Sequence, residues 1–315
     1  MSLIVGRLGK LASRHALLLI LIALVAVLSA ASPTFRSPAN LINIVEQQSI
    51  IGVVAAGMLL MILLGGFDLS VGSVGAASSV FGAYLMAQYG IVPGVIGALA
   101  VGVAVGAANG ALIALIGINP FVVTLGMQVL VSGLLMVATN ATPVYGVPNE
   151  FTFFGLGRIG PVPMAAVIYA VVVAAIWLLL SKTVFGQHIY ATGGNAEAAR
   201  LAGVRTTRVT IAVYTLGALT ASIGGLILLS QTSIGQPSAA AGWPLGAIAA
   251  VAIAGVPLTG GVGGIRNVVV GTLLLGVISN ALNQVGISPY WQPAITGAVI
   301  IVAVAIDTVQ RRRRT

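Results

Sequence analysis

The residues of this chain that could take part in chemistry are few, and two short stretches hold the most informative of them. Asp68 lies between long apolar segments, in the sequence Gly-Gly-Phe-Asp-Leu-Ser-Val-Gly-Ser of residues 65–73. Residues 183–208 are polar and hold four charged side chains, in a chain with only 14 Lys and Arg and 5 Asp and Glu residues. In so apolar a chain, this charged stretch predicts a surface that a partner binds from water. The four charges are Glu197, Arg200, Arg205 and Arg208.

Enzymatic chemistry is disfavoured because the usual catalytic patterns are missing from the sequence. There is no cysteine and there are only two histidines, His15 and His188, which are too few for a His-based metal site. The chain has no Gly-x-x-x-x-Gly-Lys-[Ser/Thr] loop, so we predict that it does not bind ATP by a P-loop. It also lacks His-Glu-x-x-His and Gly-x-Ser-x-Gly. We therefore expect no catalytic residue, no metal and no cofactor bound by this chain.

The composition indicates a membrane protein. Hydrophobic residues make up 58% of the 315 residues, charged residues only 6%, and the mean hydropathy is +1.11, whereas soluble domains carry about 25% charged residues. The net charge of +9 does not indicate nucleic acid, because the basic residues lie at the ends of apolar segments and form no patch.

Apolar segments of about 20 residues can cross a bilayer as helices, and the sequence contains ten candidates. The predicted fold is therefore all-α, a single polytopic membrane domain over 1–315 with about ten transmembrane helices. Gly-rich junctions between the second and third and between the eighth and ninth spans could be broken or re-entrant helices. The ten candidates are 15–31, 44–64, 70–88, 92–116, 121–139, 162–181, 209–230, 244–257, 267–285 and 291–308.

The distribution of Lys and Arg predicts the orientation. With ten spans and a cytoplasmic start, twelve basic residues lie inside and only Arg36 and Arg158 lie outside, as the positive-inside rule requires. Both termini and the 183–208 loop are then cytoplasmic. A cleaved signal peptide is the competing interpretation of the first span, because it follows a basic amino terminus and ends in Ser-Ala-Ala.

A short internal echo raises the hypothesis of a five-plus-five inverted repeat. Gly-Ile-Asn-Pro-Phe at 117–121 follows the fourth span and Gly-Ile-Ser-Pro-Tyr at 286–290 follows the ninth. Five spans separate the two turns, which places them on opposite sides of the membrane, as an inverted repeat requires. Chance similarity over five positions is the alternative.

Four separated motifs give the chain its resemblance to a known family. Residues 194–203 read Gly-Asn-x-Glu-Ala-Ala-x-x-x-Gly, and residues 65–73 contain Gly-Gly-Phe-Asp-Leu-Ser-Val-Gly. Asn109 opens Asn-Gly-x-Leu-Ile-Ala, followed by Asn-Pro-Phe-Val-Val-Thr-Leu-Gly at 119–126 and a Gly-rich segment at 247–272. Together they resemble ABC importer permeases of the ribose-type monosaccharide branch over residues 40–308. Ala254 and the Val-Pro pair at 256–257 depart from the family pattern, which puts the local backbone geometry and the identity of the substrate in doubt.

The resemblance implies that the 183–208 loop is an ATPase-coupling loop. We expect a short helix over 195–201 with Asn195 as its N-cap and small or apolar residues for the ATPase to contact. A solvated connector whose basic residues only fix the topology is the alternative. The candidate coupling residues are Gly194, Asn195, Glu197, Ala198, Ala199, Leu201 and Gly203.

Polar residues within or near the spans are the candidates for a translocation path. Asp68 or Ser70 could cap the third helix, or Asp68 could contact substrate. Thr124 and Gln128, one helical turn apart, could line a polar path or form interhelical hydrogen bonds. The candidate path or signature residues are Asp68, Ser70, Asn109, Thr124, Gln128 and Asn280.

By resemblance, the chain is predicted to be the permease of an ATP-driven sugar importer in the bacterial inner membrane. Its implied partners are a cytoplasmic ATPase subunit that uses the ATP, an extracytoplasmic sugar-binding protein and a second permease copy, identical or closely related. The alternative is a self-sufficient secondary carrier or channel for a small polar solute. The scarcity of ionisable residues within the spans disfavours an ion-coupled carrier.

Overall fold

The computed structural model describes residues 16–288, 290, 291, 293–298, 301 and 305. In this part of the chain nearly all regular structure is helical. The helices are α1 Ala16–Ala31, α2 Pro38–Leu63, α3 Val71–Tyr89, α4 Ile91–Ala111, α5 Pro120–Thr139, α6 Phe153–Leu156, α7 Met164–Lys182, α8 Val184–Gly194, α9 Ala196–Leu201, α10 Thr206–Thr232, α11 Trp243–Ile253 and α12 Ile265–Gln284.

Three further small elements lie in the described part of the chain, and the sequence predicted none of them. A π turn, Leu112–Ile116, extends α4, and a 3-10 turn, Asn149–Thr152, precedes α6. Strand β1, Arg158–Ile159, pairs antiparallel with β2, Val162–Pro163, to form a two-residue hairpin before α7.

Local sequence sets several helix ends. The Ser37 hydroxyl accepts the Asn40 N–H at 3.3 Å, and Asn119 accepts the Phe121 N–H at 2.9 Å, so each side chain caps the helix that follows it. A proline follows each cap, where its missing N–H costs nothing. Gly117 ends the π turn with a φ of +83°, a backbone conformation that favours glycine.

Among the described residues, six helices are long and apolar enough to cross a membrane, namely α2, α4 with its π turn, α5, α7, α10 and α12. These correspond to six of the ten predicted spans. Helices α1 and α11 are apolar but shorter, with 16 and 11 residues. Helix α3 is 19 residues long, and its Gly, Ser and Gln residues lower its hydropathy. The tenth predicted span, 291–308, lies mostly outside the described residues, so the total of ten stays a prediction.

Helix α2 forms the centre of the bundle. Every hydrophobic side chain from Val53 to Leu63 has 0% of its surface exposed. Helices α7, α10, α11 and α12 pack around it. Any displacement of α2 therefore requires several neighbouring helices to move with it, because close-packed interiors transmit strain.

Helix α4 packs closely against α3 and α10 through small residues at every fourth position. Gly94 faces Met86 on α3, whereas Gly102, Gly106 and Gly110 face the backbone of α10. A Cβ atom built on Gly106 would lie 2.6 Å from the Tyr214 carbonyl oxygen. The stripe that the sequence predicted is thus a helix-packing surface, as small residues provide in membrane bundles.

The two ends of the helix bundle can be told apart by the segments that lie there. The connector, residues 183–208, marks the end that we call the connector end. The Gly261 N–H donates to the Leu63 carbonyl at 2.9 Å there. The β1–β2 hairpin marks the opposite hairpin end, where Val144 and Gly235 form an isolated antiparallel bridge.

Candidate functional site

The connector folds into two helices that follow α7 without leaving the connector end. Thr183 has extended φ and ψ angles, which ends α7, and its hydroxyl accepts the Gly186 N–H at 3.0 Å to cap α8. The sequence predicted only the second of these helices, and α8 was not expected. Gly186 packs against the α7 backbone, where a Cβ atom would lie 2.3 Å from the Leu179 carbonyl oxygen. That close contact directs α8 back against the bundle.

Helix α9 is the short helix that the sequence predicted. Asn195 caps it by accepting the Ala198 N–H at 2.9 Å. Gly203, with a φ of +89°, follows its end, and the Val204 N–H closes the turn on the Ala199 carbonyl at 3.0 Å. The predicted cap, helix and terminal glycine are therefore all present, because each depends on local sequence alone.

The two faces of α9 differ in exposure. Leu201 is 77% exposed and Ala198 is also exposed, whereas Ala199 is only 6% exposed and points into the chain. Ala199 is therefore not part of the outward surface that the sequence analysis assigned to it. The outward face combines Ala198 and Leu201 with the Glu197–Arg200 ion pair.

The two residues of this ion pair lie one helical turn apart, and both side chains are open to solvent. Glu197 and Arg200 approach to 2.6 Å, and their side chains are 65% and 63% exposed. The hydrogen bond and positive charge of Arg200 hold the pKa of Glu197 below its usual value. Glu197 also lies in the first turn of α9, where the helix dipole favours a negative charge.

Asp68 is fully buried at the connector end and is surrounded by hydrogen-bond donors. Its Oδ1 atom accepts the Ser70 N–H at 2.6 Å and the Ser70 hydroxyl at 2.5 Å. The Asn109 amide donates to Ser70 Oγ at 2.9 Å and to Asp68 Oδ2 at 3.3 Å. Neither of the two ion pairs found in the described part of the chain includes Asp68. Hydrogen bonds to neutral groups therefore compensate its burial.

The structure corrects the prediction that Asp68 or Ser70 caps the third helix. Ser70 is the residue before α3, but its side chain makes no capping hydrogen bond, because it is bound to Asp68. Gln128, from α5, supplies the cap instead by accepting the Ser73 N–H at 3.0 Å. Asp68 therefore fixes the turn that leads into α3, and Gln128 on α5 accepts a backbone N–H from the first turn of α3.

Thr124 and Gln128 lie together against the segment that contains Asp68. Thr124 donates to the Phe67 carbonyl at 3.5 Å, one turn before the Gln128 contact with Ser73. Of the two predicted roles, interhelical hydrogen bonding is the one that these contacts form. Five of the six candidate path residues thus gather in one polar group, which comprises Asp68, Ser70, Asn109, Thr124 and Gln128.

Asn280, the sixth candidate, lies apart from this group at the hairpin end. It forms a reciprocal amide pair with Asn40, with distances of 3.1 and 2.9 Å, and accepts a hydrogen bond from Gln284 at 3.0 Å. The Ser32 hydroxyl extends this series of hydrogen bonds by donating to Gln284 Oε1 at 3.1 Å. Asn40, which is 240 residues from its partner in the chain, was not predicted from the sequence.

A cavity of about 240 Å³ separates the connector from the segment before Asp68. Tyr214 on α10 and Thr192 on α8 contribute to its wall. Their side-chain oxygens are buried and make no hydrogen bond within the described part of the chain. The wall is otherwise apolar or neutral; it includes Gly66, Ile113, Ala196 and Thr210. This surface suits water or neutral hydroxyl groups better than ions.

A metal site is not formed by the acidic side chains and histidines of the described residues, which contain no group of three that could hold an ion.

Comparison with known proteins identifies relatives over nearly the whole length of the chain. Residues 40–304 match the family described as branched-chain amino acid transport system / permease component. The ribose import permease protein of Escherichia coli K12 is 40% identical over 295 residues, covering 92% of each chain. The L-arabinose ABC transporter permease protein of Azospirillum brasilense is 36% identical over 312 residues, 98% of this chain and 91% of that protein.

A third relative, the fructose import permease protein of Rhizobium meliloti, is 36% identical over 283 residues, 87% of this chain and 79% of that protein. No solved structure matches the chain. The matched region contains both the Asp68 group and the connector. The chain therefore belongs to the family of branched-chain amino acid transport system permease components.

Proposed function

We propose that this chain is the membrane-spanning subunit of an ATP-driven ABC importer for a sugar. The proposed substrate is a monosaccharide, ribose or a related pentose or hexose. Family membership supports the permease role, and relatives named for ribose, L-arabinose and fructose support the sugar. The chain itself supplies the path, and a separate subunit supplies the ATPase activity.

The connector is the observation that carries the ATP-driven part of the proposal. Helix α9 is capped, short and outward-facing, and it belongs, with α8, to the connector between the end of α7 and the start of α10. Ala198 and Leu201 would insert into a groove of the ATPase, while the Glu197–Arg200 pair would contact its rim. An exposed leucine beside an exposed alanine suits a protein partner, since complementary packing of apolar groups stabilises such contacts.

The proposed arrangement places the connector in the cytoplasm and the hairpin end outside the inner membrane. Both termini are then cytoplasmic, in a fold of ten spans with a five-plus-five inverted repeat. A second permease copy, identical or closely related, completes the path. An extracytoplasmic binding protein delivers the sugar to the hairpin end. The excess of Lys and Arg on the proposed cytoplasmic side supports this orientation.

The coupling role is tested by Ala198→Arg, with Ala31→Arg as the matched control. Both alanines are exposed, but Ala31 ends α1 at the hairpin end, next to Ser32, which donates to Gln284. Ala198→Arg, and likewise Gly203→Val, should leave the permease inserted and dimeric but weaken co-purification of the ATPase and stop ATP-driven uptake. Ala31→Arg should retain the ATPase. Normal ATPase association and uptake in both connector variants would refute the coupling role.

The orientation is tested with single cysteines, which the natural chain lacks. A cysteine at Ala196 should react with a membrane-impermeant maleimide only in inverted vesicles, and a cysteine at Asn149 only in intact cells. Cysteines at Ser2 and Thr315 should behave like the one at Ala196. Labelling of Ala196 from outside intact cells would overturn the ten-span arrangement.

A self-sufficient carrier is separated from this proposal by reconstitution. The purified chain alone in liposomes should not accumulate sugar, whereas addition of the ATPase, the binding protein and ATP should start uptake. Uptake by the chain alone would favour the carrier.

A further inference from the structure

Three separate segments meet backbone to backbone at the connector end. They are the end of α2 at Leu63, the end of α8 at Gly193 and the loop after α11 at Gly260 and Gly261. We propose that this contact, the glycine junction, carries movement of the connector directly to α2 and to the loop between α11 and α12. The proposal rests on the coupling role proposed above and adds a second route to the covalent one through α7 and α10.

Gly193 is in contact with α2 at the closest approach in the junction. A Cβ atom built on Gly193 would lie 1.7 Å from the Leu63 carbonyl oxygen and 3.0 Å from the Gly261 nitrogen. Any side chain there would separate α8 from both segments. The same Leu63 carbonyl accepts the Gly261 N–H at 2.9 Å, which fastens the loop to the end of α2.

The loop side of the junction also depends on glycine. Gly260 and Gly261 have φ angles of +87° and +77°, in the left-handed region. A Cβ atom on Gly260 would lie 2.6 Å from the Gly65 nitrogen, and one on Gly261 would lie 2.9 Å from Gly194 Cα. Two features therefore require glycine here, the backbone conformation and the lack of space.

Tyr190 provides a second link between α8 and the same loop. Its hydroxyl donates to the Gly263 carbonyl at 2.8 Å. Tyr190 lies one helical turn before Gly193 on α8, so the helix contacts the 260–263 loop at two points. Two contacts resist rotation of α8 relative to the loop, which one contact would allow.

The consequence for coupling follows from the burial of α2. A shift of α8 is applied at Leu63, the last residue of α2, whose hydrophobic side chains from Val53 onward are fully buried. Helices α7, α10, α11 and α12 pack on α2, so they move when α2 is displaced. Two of them, α11 and α12, are not covalently continuous with the connector and are reached through α2. The junction thus gives a physical contact through which the ATPase can reposition the core.

Gly193→Ala tests the junction, with Gly264→Ala as the matched control. A Cβ atom at Gly264 would meet nothing within 4 Å, although the residue directly follows the same loop. The Gly193→Ala variant should still bind the ATPase. Its ATP-driven uptake should fall about tenfold, as the loss of a typical coupling free energy implies. Gly264→Ala should transport normally.

Tyr190→Phe tests the junction without adding volume, and Tyr145→Phe at the hairpin end is its control. Loss of one hydrogen bond should reduce uptake per ATP hydrolysed about two- to tenfold, with ATPase association unchanged. Should Gly193→Ala not fold, Tyr190→Phe decides the question. Normal uptake per ATP in Tyr190→Phe and in any folded Gly193→Ala would overturn the junction. Failure of the coupling role itself would instead appear as normal ATPase association in Ala198→Arg.

Discussion

Asp68 offers a direct measure of how the buried polar group stabilises the fold. Replacing it with alanine removes the acceptor for the Ser70 N–H, the Ser70 hydroxyl and one Asn109 amide N–H. A buried donor without a partner costs about 1 to 3 kcal/mol. The Ser70 N–H belongs to the backbone and cannot rotate to another acceptor. The Ser70 hydroxyl can rotate, and the Asn109 amide keeps its hydrogen bond to Ser70 Oγ. Asp68→Ala should therefore lower the free energy of unfolding by ~3 kcal/mol.

Asp68→Asn should cost less, because the amide oxygen can still accept both Ser70 bonds. Its NH₂ group then faces the Asn109 amide. Asn109 Oδ1 is buried without a partner within the described residues, so a rotated Asn109 amide can accept the new donor. That rotation gives up one bond to Ser70 Oγ, a net loss of about 1 kcal/mol.

The measurement is reversible unfolding of the purified permease in mixed detergent micelles, followed by tryptophan fluorescence. Ser79→Ala is the control, because Ser79 Oγ is buried and makes no hydrogen bond in the described part of the chain. The free energy of unfolding of Ser79→Ala should differ from that of the natural chain by no more than about 0.5 kcal/mol, since no hydrogen bond is lost. The reasoning is refuted if Asp68→Ala is as stable as the natural chain, or if Asp68→Asn costs more than Asp68→Ala. Loss of transport in a stable Asp68→Asn variant would instead assign the charge to function.

Three further predictions concern α9 and the helix packing. Asn195→Ala should destabilise α9 by about 1 kcal/mol through loss of its cap, detected as faster amide hydrogen exchange there; Asn195→Asp should retain protection. The Glu197–Arg200 pair stabilises α9 above the ordinary pKa of glutamate, and this contribution is lost as the pH falls through the lowered pKa of Glu197. The protection factors of the α9 amides, which correct for the pH dependence of intrinsic exchange, should therefore fall on acidification, and Glu197→Gln should abolish the part that titrates with Glu197. Gly106→Ala should lower the stability by about 1 to 3 kcal/mol, because the new methyl group meets α10, whereas Gly126→Ala, with open space around it, should not; equal unfolding midpoints would contradict this.

Local features of the fold could be predicted from the sequence, and the reason is that their partners are close in the chain. The Asn195 cap, helix α9 and Gly203 depend on contacts within eight positions. The small-residue stripe of α4 is equally local, because its spacing alone places Gly102 and Gly106 on one face.

The remaining features depend on contacts that no short motif specifies. Gln128 caps α3 from 55 residues away, and Asn40 pairs with Asn280 across 240. Ala199 was predicted to face outward, but its burial depends on how α9 packs against the bundle, which short-range periodicity does not determine. Helix α8 was missed because its Gly and polar residues are typical of a loop.

The position of α2 has a consequence for how the protein is made. Helix α2 is synthesised early, yet it is enclosed by α7, α10, α11 and α12, all of which leave the ribosome later. Its inward faces must therefore contact lipid first and exchange that lipid for protein as the carboxyl-terminal half arrives, consistent with helices that insert first and associate afterwards. A chain interrupted before α10 would leave α2 solvated by the bilayer, with the small residues of α4 exposed to other helices. Membrane quality control would then encounter an incomplete bundle, whose exposed small residues can pack against helices of other proteins.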